Sequence, residues 1–396
     1  MDFARVELGA TDREFQERVR AFLAANVSDE LLRAERATGD GVILDLHRAM
    51  GARGWLEAEA TTVDEGGFTA IQKRIWDLER RRLGLPLERW GATMMILQAV
   101  RQYATPELLD EVLARVYRGE ALFSMGYTEP EGGSDIATCK TRAARDGDGW
   151  VINGQKMFTS GANICQYVFL LTNTDPAGKR HRNLTMFLVP LDTPGIEVQR
   201  LQTVDDDSTT ITYYADVRIP DRYRLGEVND GWAVLSGPLA AEHGAVDSAD
   251  AGLTDITTMS NFGMAMAISA DLAVGLATAD GPDGRRSLND DAVSYRLGRA
   301  HSRIEAALST PSLFGRVAIA QAMRDIAPEL MDVLGGAAAL ASSTPGALAD
   351  GEQGPEYLYR WAPLVGIYGG TIDVFRNMIA QHILGLGRPT YVAPTK

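Results

Sequence analysis

The chain has 396 residues, of which 45% are hydrophobic and 23% are charged, an ordinary composition for a globular protein. At this length two or three domains are expected. The formal net charge of −14 disfavours nonspecific binding to nucleic acid or to an anionic membrane. Because we find neither a signal peptide nor a membrane-spanning apolar run, we predict a cytoplasmic protein that has neither nucleic acid nor a membrane as a partner.

The first third of the chain has the periodicity of amphipathic helices. We predict helices in TDREFQERVRAFLAANV, with Thr11 as the N-cap, in AIQKRIWDLERRRLG and in PELLDEVLARVYRGE. The stretch WLEAEATTVDEGGFT is predicted to be a loop between the first two. These segments form a predicted N-terminal α-helical domain, residues 1–120.

From about Ala121 the apolar residues follow the pattern of short strands. The segments QYVFLLTNT, NLTMFLVPL, GIEVQRLQTV and TTITYYADVRIP are rich in β-branched and aromatic residues and are separated by turn residues. The pair Asn153-Gly154 is typical of a hairpin turn. We therefore predict a central antiparallel β-barrel domain over residues 121–228.

After Gly231 the helical pattern returns. DAVSYRLGRAHSRIEAALS and SLFGRVAIAQAMRDIAPELMDVLGG predict long helices, and residues 279–291 between the domain's helices are loop-like. A last helix, beginning near Thr371, would place Ile372, Phe375, Ile379 and Ile383 on one face. We predict a C-terminal helical bundle domain, residues 229–396, and an α+β fold for the whole chain.

Several common chemistries have no support in the sequence. The five histidines are scattered, no Cys/His cluster has metal-ligand spacing, and we predict no metal site. Cys139 and Cys165 are expected to be buried thiols. No nucleophile elbow, P-loop or dinucleotide-binding fingerprint is present.

Three stretches in order carry a resemblance: YTEPEGGSD and GQKMFTSGA in the β domain, and YGGTIDVFRNMIAQHILGLG near the C-terminus. With the helical first domain, they resemble the acyl-CoA dehydrogenases, a family of flavoproteins. The resemblance implies an FAD-dependent enzyme with a C-terminal four-helix bundle. It would oxidise an acyl-CoA thioester to the trans-2-enoyl-CoA, with electron-transfer flavoprotein as the acceptor.

The resemblance also implies which residues contact FAD. The loop residues Met125, Tyr127 and Thr128 would lie against it, with Ser134 where its phosphate and the acyl-CoA arm approach. The matching segments would also contribute Phe158, Thr159, Ser160, Thr371 and, at the adenosine end, Asp373. A helix N-terminus such as that at Thr371 suits an anionic cofactor.

The catalytic base departs from the commonest pattern of the family. In many members a carboxylate stands immediately before the Gly-Thr pair of the last helix, but here that position is Gly369. A minority use an acid on an earlier helix, and Glu242 matches it; Leu239 and Val246 share its helical face. His243 replaces the usual arginine, and we expect His243 and Gly369 to contact the substrate. Whether coenzyme A or an acyl-carrier protein carries the thioester stays open.

Acidic residues replace expected FAD ligands in the C-terminal domain. By the resemblance, Asp280 stands where an arginine binds the pyrophosphate of a neighbouring subunit's FAD, and Asp291 and Asp332 stand where glutamine is common. An aspartate repels a pyrophosphate, unless Arg285 and Arg286 fold back to restore the charge. These departures put FAD retention in question.

Four alternatives follow from these observations. The chain is a self-sufficient homo-oligomeric dehydrogenase, or one subunit of a hetero-oligomer with half the usual flavin, resembling the paired actinobacterial dehydrogenases of steroid side chains. Alternatively it is a non-catalytic paralogue, or a flavin oxidase or monooxygenase on the same fold. The acyl chain is open, and Gly369 gives a mild preference for a bulky one.

Overall fold

The computed structural model of this chain describes residues 7–86, 88–205, 207–242, 258–280, 286–310, 312–338, 340 and 354–387. They fall into two compact units, with residues 1–241 assigned to the first and residues 255–396 to the second. Within the described residues, no helix is both long enough and apolar enough to cross a membrane.

The first unit begins with helices, as predicted: α1 Ala10–Asn26, α2 Asp29–Thr38, α3 Leu44–Ala52, α4 Trp55–Ala60, α5 Ala70–Arg82, α6 Glu88–Tyr103 and α7 Pro106–Tyr117. Two details of the prediction are wrong. Helix α1 has Gly9 as its N-cap, so Thr11 lies inside it. The predicted loop contains α4, because Trp55 packs edge-on against Phe22 and Trp76, with ring centroids 4.7 and 5.1 Å away.

In the described part of the first unit, eight strands form one sheet: β1 Phe123–Gly126, β2 Arg142–Asp146, β3 Gly149–Lys156, β4 Tyr167–Asn173, β5 Leu184–Pro190, β6 Ile196–Gln202, β7 Ser208–Pro220 and β8 Arg224–Leu225. The order is β6-β7-β3-β2-β4-β5-β8, and β1 pairs with β4. Most pairs are antiparallel as predicted, but β1 and β2 both run parallel to β4, so the sheet is mixed.

The predicted hairpin at Asn153-Gly154 is wrong. The turn of the β2–β3 hairpin consists of the two residues between Asp146 and Gly149, and β3 continues past Gly154 to Lys156. Asn153 and Gly154 instead form an irregularity in the pairing with β7. The Asn153 side chain bonds to both the backbone and the carboxylate of Asp216, at 2.9 and 3.1 Å. A strong local turn signal thus serves as a β-bulge, because β7 offers a partner.

One hydrophobic core runs from the N-terminal helices into the sheet. It contains Phe22 and Trp76 from the helices and Phe169 and Phe187 from β4 and β5. The predicted domain boundary at residue 120 falls between α7 and β1, inside this unit, and it stays a prediction. Both cysteines are buried and free, as predicted.

Helix α8, Gly231–Glu242, follows the sheet, and the second unit is helical: α9 Thr258–Thr278, α10 Asp291–Leu308, α11 Ser312–Leu334, α12 Pro355–Val365 and α13 Ile372–Met378. In its described part, α9 to α12 share one core, which agrees with the predicted four-helix bundle. Small core residues such as Ala270, Ala273 and Ala320 let these helices approach closely.

The last helix follows the predicted face for only two turns. Ile372, Phe375 and Ile379 are buried, whereas Ile383 is 48% exposed. Residues Ile379–Ile383 form a π-helical turn after α13. Because a π turn contains one residue more than an α turn, it rotates Ile383 away from the buried face.

A buried carboxyl group lies at the end of α2. Glu35 is 9% exposed, and its Oε1 accepts a hydrogen bond from the backbone N–H of Gly41 at 2.9 Å. Burial, with the nearby charges of Glu88, Asp207 and Asp40, raises the pKa of Glu35 from 4.5 to about 7, against the effect of the Gly41 bond. The folded protein therefore keeps a proton here that the unfolded chain releases.

This shift makes stability depend on pH. Because the pKa of Glu35 is higher in the folded state, its contribution falls as pH rises from 4.5 to about 7. We expect Glu35→Gln, which keeps an acceptor for Gly41, to raise the free energy of unfolding at pH 8 by roughly 1–2 kcal/mol. Urea unfolding at pH 5 and pH 8 measures this. The exposed Glu30 on the same helix is the control; equal effects of Glu30→Gln and Glu35→Gln would refute the assignment.

Candidate functional site

The stretch YTEPEGGSD forms a tight loop directly after β1. The peptide groups of Glu129 and Gly132 bond to each other in both directions, at 3.0 and 3.1 Å, which closes a turn between them. Gly133 and Ser134 beyond the turn are exposed. The loop therefore presents peptide groups and a hydroxyl at the surface, which suits an anionic ligand.

The predicted residues that precede this loop are more enclosed. Met125 lies half-buried on β1. The ring of Tyr127 is buried and packs edge-on against Phe169, with centroids 6.0 Å apart. The carbonyl of Thr128 accepts a hydrogen bond from the backbone N–H of Met157 at 2.9 Å. This bond brings the two sequence motifs of the β domain side by side.

A buried ion pair supports both motifs. Lys156, the last residue of β3, is fully buried, and its Nζ lies 2.8 Å from Oε1 of Glu129. The same ammonium donates to the carbonyl of Tyr127 at 3.1 Å. Glu129 also accepts the backbone N–H groups of Lys140 and Thr141, at 2.7 and 2.8 Å. Both buried charges are thus satisfied, which a stable buried pair requires.

The ion pair lowers the pKa of its own carboxyl group. Burial alone would raise the pKa of Glu129, but the Lys156 charge and the Thr141 hydrogen bonds outweigh it and lower that pKa to about 2. Cys139 Sγ lies 3.2 Å from Glu129 and 3.3 Å from Lys156. Burial raises the pKa of Cys139 to about 11, which favours the protonated thiol at neutral pH.

The segment after Lys156 turns an aromatic ring outward. Phe158 has φ +58°, a conformation that is unusual for a bulky residue, and its side chain is 55% exposed. Thr159 is fully buried; its N–H donates to the carbonyl of Thr210 at 2.9 Å, and its own carbonyl accepts from the Thr210 hydroxyl at 2.6 Å. A strained residue held by such contacts is typical of a functional site.

The hydroxyl groups of this segment face the sheet. Thr159 Oγ1 lies 3.3 Å from Thr212 Oγ1, and Ser160 Oγ lies 2.8 Å from Thr209 Oγ1. The resemblance implies that Thr159 and Ser160 contact FAD. In this structure they bond to β7, and the Phe158 ring is the most exposed part of the segment.

In the second unit, the turn before α13 explains the double glycine. Gly369 and Gly370 have φ +61° and +90°, values that glycine adopts at little cost. The carbonyl of Tyr368 accepts a hydrogen bond from Arg316 Nη2 at 2.6 Å, which holds the start of the turn. Thr371 is the N-cap of α13, and its hydroxyl accepts the N–H of Val374 at 3.2 Å.

The remaining acidic candidates differ in their surroundings. Asp373 is 84% exposed and lies 3.3 Å from Arg376. Glu242 is the last residue of α8, at its C-terminal end. His243 and Val246 lie outside the described residues, so the helical face predicted for Glu242 is not tested beyond it.

Two of the three acidic residues at expected FAD positions pair with an arginine. Asp280 Oδ1 lies 3.0 Å from Nε of Arg286, so Arg286 does fold back onto it. Asp332 pairs with Arg296 at 3.2 Å. Asp291 is exposed in the first turn of α10, where a carboxylate suits the helix dipole. Arg285 lies outside the described residues.

Sequence reasoning missed two supporting residues, Glu129 and Lys156. Lys156 occupies an inward position on a β-strand, where a lysine is rare unless it is paired. That pattern was a usable signal, although it does not identify the partner. Among the described residues, no three His, Cys, Asp or Glu side chains converge as metal ligands.

Comparisons with known proteins agree with this geometry. Residues 124–217 match the acyl-CoA dehydrogenase middle domain, and residues 313–384 match the C-terminal domain of the same family. Acyl-CoA dehydrogenase IpdE1 of Mycolicibacterium smegmatis is 30% identical over 72% of this chain and 73% of its own length.

Solved structures give the same result. The ChsE4–ChsE5 complex of Mycobacterium tuberculosis contains a chain 29% identical, with a TM-score of 0.79 over 98% of this chain and 100% of that one. The Tcur3481–Tcur3483 steroid ACAD matches with 26% identity and a TM-score of 0.77, over 98% of this chain and 100% of that one. This chain belongs to the acyl-CoA dehydrogenase family and is an oxidoreductase of that class.

The family is generally FAD-dependent, and the described residues of the first unit fit a flavin. The exposed Phe158 ring offers a surface for a planar ring system. The exposed peptide groups at Gly133 and Ser134 can meet an anionic group.

Removing Lys156 tests the support beneath both motifs. We expect Lys156→Met to lower the free energy of unfolding by about 3–5 kcal/mol, because it leaves the Glu129 carboxylate buried and unpaired. The double variant Lys156→Met/Glu129→Gln should recover part of this loss. Urea unfolding measures both. As a control, Lys140→Met removes an exposed lysine and should change stability by less than about 0.5 kcal/mol; a similarly small loss for Lys156→Met would contradict the role of the pair.

Proposed function

We propose that this chain catalyses the FAD-dependent α,β-dehydrogenation of an acyl-CoA thioester to the trans-2-enoyl-CoA, with Glu242 as the base. The observation that carries the proposal is the buried Glu129–Lys156 pair, at 2.8 Å, beneath two adjacent motif segments. It supports the end of the strand that precedes the exposed, strained Phe158, where Met157 bonds to Thr128 of the loop. Such a rigid support is expected for a bound cofactor and has little use in a bare surface loop.

In this proposal the first unit binds most of the FAD through Met125, Tyr127, Thr128, Ser134, Phe158, Thr159 and Ser160. Phe158 covers the ring, while Thr159 and Ser160 fix the chain beside it, since their hydroxyls bond to β7. Thr371 and Asp373 contact FAD from α13. Bound flavin supplies the acceptor for the hydride that leaves the β carbon of the substrate.

Glu242 removes the proton from the α carbon of the thioester. A carboxylate oxygen accepts this proton, and the proton becomes mobile because the adjacent thioester carbonyl stabilises the negative charge. A glutamate does this best when a dry environment raises its pKa towards neutral. His243 and Gly369 contact the substrate in this proposal, and Ser134 lies near the acyl-CoA arm.

Replacing the base separates catalysis from cofactor binding. We expect Glu242→Gln to lower kcat by about 10³-fold, because the amide cannot accept the proton, and to leave FAD content unchanged. Dye-coupled turnover with acyl-CoA thioesters measures kcat, and the absorbance of released FAD measures content. Glu30→Gln is the matched control, since Glu30 is an exposed glutamate outside the proposed site, and it should leave kcat and FAD content unchanged. A glutamine variant with wild-type turnover would eliminate Glu242 as the base.

A second candidate function is a partner-dependent subunit of a hetero-oligomeric dehydrogenase. Asp280 and Arg286 neutralise each other at 3.0 Å, so this pair offers no net positive charge to a neighbouring FAD pyrophosphate. A different subunit would then supply that cation. The ChsE4–ChsE5 structure, a similar protein, is itself a complex of two named chains.

The FAD content of the chain expressed alone decides between these candidates. A self-sufficient enzyme is expected to hold close to one FAD per chain, and Asp280→Arg should not raise this content. A partner-dependent subunit would hold little FAD when expressed alone, and Asp280→Arg should raise its FAD content towards one per chain. Asp325→Arg is the matched control, since Asp325 also pairs with an arginine on the helical unit. Equal effects of both variants would mean that Asp280 does not face the cofactor.

The substrate in this proposal has a bulky or branched acyl group carried by coenzyme A. Gly369 has no side chain and leaves volume at a position where many family members have a carboxylate. The similar Tcur3481–Tcur3483 protein is described as a steroid dehydrogenase of this class. Electron-transfer flavoprotein is the proposed acceptor; rapid reoxidation by oxygen would instead identify an oxidase or monooxygenase.

A further inference from the structure

We propose that Arg89 is a positioning residue. From α6, it holds the Phe158–Ser160 segment in the conformation that presents the Phe158 ring to the proposed flavin. The proposal rests on the proposed function, because it concerns the same cofactor-binding segment. It concerns a residue of α6, which lies outside the family motifs described above.

Arg89, on α6, bonds directly to the backbone of the Phe158–Ser160 segment. Its Nη1 donates to the carbonyl of Ser160 at 2.6 Å, across 71 positions of sequence. A hydrogen bond from a guanidinium to a carbonyl is stronger than one between neutral groups. The segment is thus held by β7 through Thr159 and by α6 through Ser160.

The packing at the next residue supports the same role. Gly161 lies against the stem of Arg89: a Cβ at this position would be 2.5 Å from Arg89 Cδ and 3.1 Å from Nη1. A contact of 2.5 Å forces a displacement, so a larger residue would push the guanidinium away from Ser160. Gly161 also has φ +81°, which favours glycine.

Arg89 is itself held on the opposite side. Its backbone N–H donates to the carbonyl of Gly41 at 3.3 Å. Next to Gly41, the carboxylate of Asp40 accepts a hydrogen bond from the side-chain amide of Asn163 at 3.0 Å. The Arg89 Nε atom is buried and has no hydrogen-bond partner among the described residues. The bond to Ser160 is therefore a main constraint on where the guanidinium lies.

The contacts explain how Phe158 keeps an unfavourable conformation. Its C-terminal neighbours are fixed at two successive carbonyls, that of Thr159 by Thr210 and that of Ser160 by Arg89. If the second contact is lost, the chain after Thr159 can rotate, and Phe158 can relax from φ +58°. The exposed ring would then no longer be presented in one orientation.

Hydrogen exchange of the full-length chain without added FAD tests this ordering directly. We expect Arg89→Gln to accelerate amide exchange about tenfold in peptides covering residues 157–164, and to leave β4 and β5 unchanged. Arg89→Lys, which keeps a cationic donor, should recover part of the protection. Arg115→Gln is the control, because Arg115 donates to the Tyr167 hydroxyl at 2.7 Å in the same unit.

FAD affinity gives a second readout that does not depend on turnover. We expect Arg89→Gln to weaken FAD binding about tenfold, and Gly161→Ala to do the same by displacing Arg89. Because both changes break one contact, the double variant should lose less than the two single losses combined. Fluorescence titration of the apoprotein with FAD measures all four proteins.

The outcomes are distinguishable from failure of the proposed function. Unchanged exchange at residues 157–164 in Arg89→Gln would overturn the proposal. Faster exchange with unchanged FAD affinity would make Arg89 a structural residue only, which also overturns it. If the wild-type chain binds no FAD, the self-sufficient form of the proposed function fails, and the exchange result alone decides whether Arg89 orders the segment.

Discussion

The ion pair between Lys156 and Glu129 is the constraint on which the rest of the candidate site depends. Removing either charge from water costs several kcal/mol, so the folded chain must keep both partners together. Glu129 lies in one motif and Lys156 at the start of the other, and the pair therefore sets their relative position. Phe158 can hold an unfavourable backbone conformation because the residues around it rest on this fixed base.

Much of the fold was predictable from the sequence, because long apolar stripes and strand runs have few alternative ways to be buried. The helices α5, α7, α10 and α11 and the strands β4 to β7 all follow from such patterns. The errors share a different cause. Asn153 bonds to Asp216 instead of forming a hairpin turn, and Trp55 packs against Phe22 and Trp76 instead of lying in a loop. In both cases a contact with a residue distant in sequence overrides the local signal. No local rule contains that information.

The candidate site was predictable in its motifs and less so in its chemistry. Resemblance located the loop at Thr128 and the segment at Phe158, and the structure brings them together. It did not reveal that the hydroxyls of Thr159 and Ser160 already have partners on β7. A hydroxyl group can donate to or accept from any suitable neighbour. The register of β7 against β3 decides which neighbours the hydroxyls of Thr159 and Ser160 have.

The turn at Gly369 and Gly370 limits which side chains position 369 can carry. A glutamate placed there would meet a backbone held at φ +61°, where a residue with a Cβ is disfavoured by about 1–2 kcal/mol. The bond from Arg316 to Tyr368 keeps the chain in this turn. A carboxylate at position 369 therefore requires a change of backbone as well as a change of side chain.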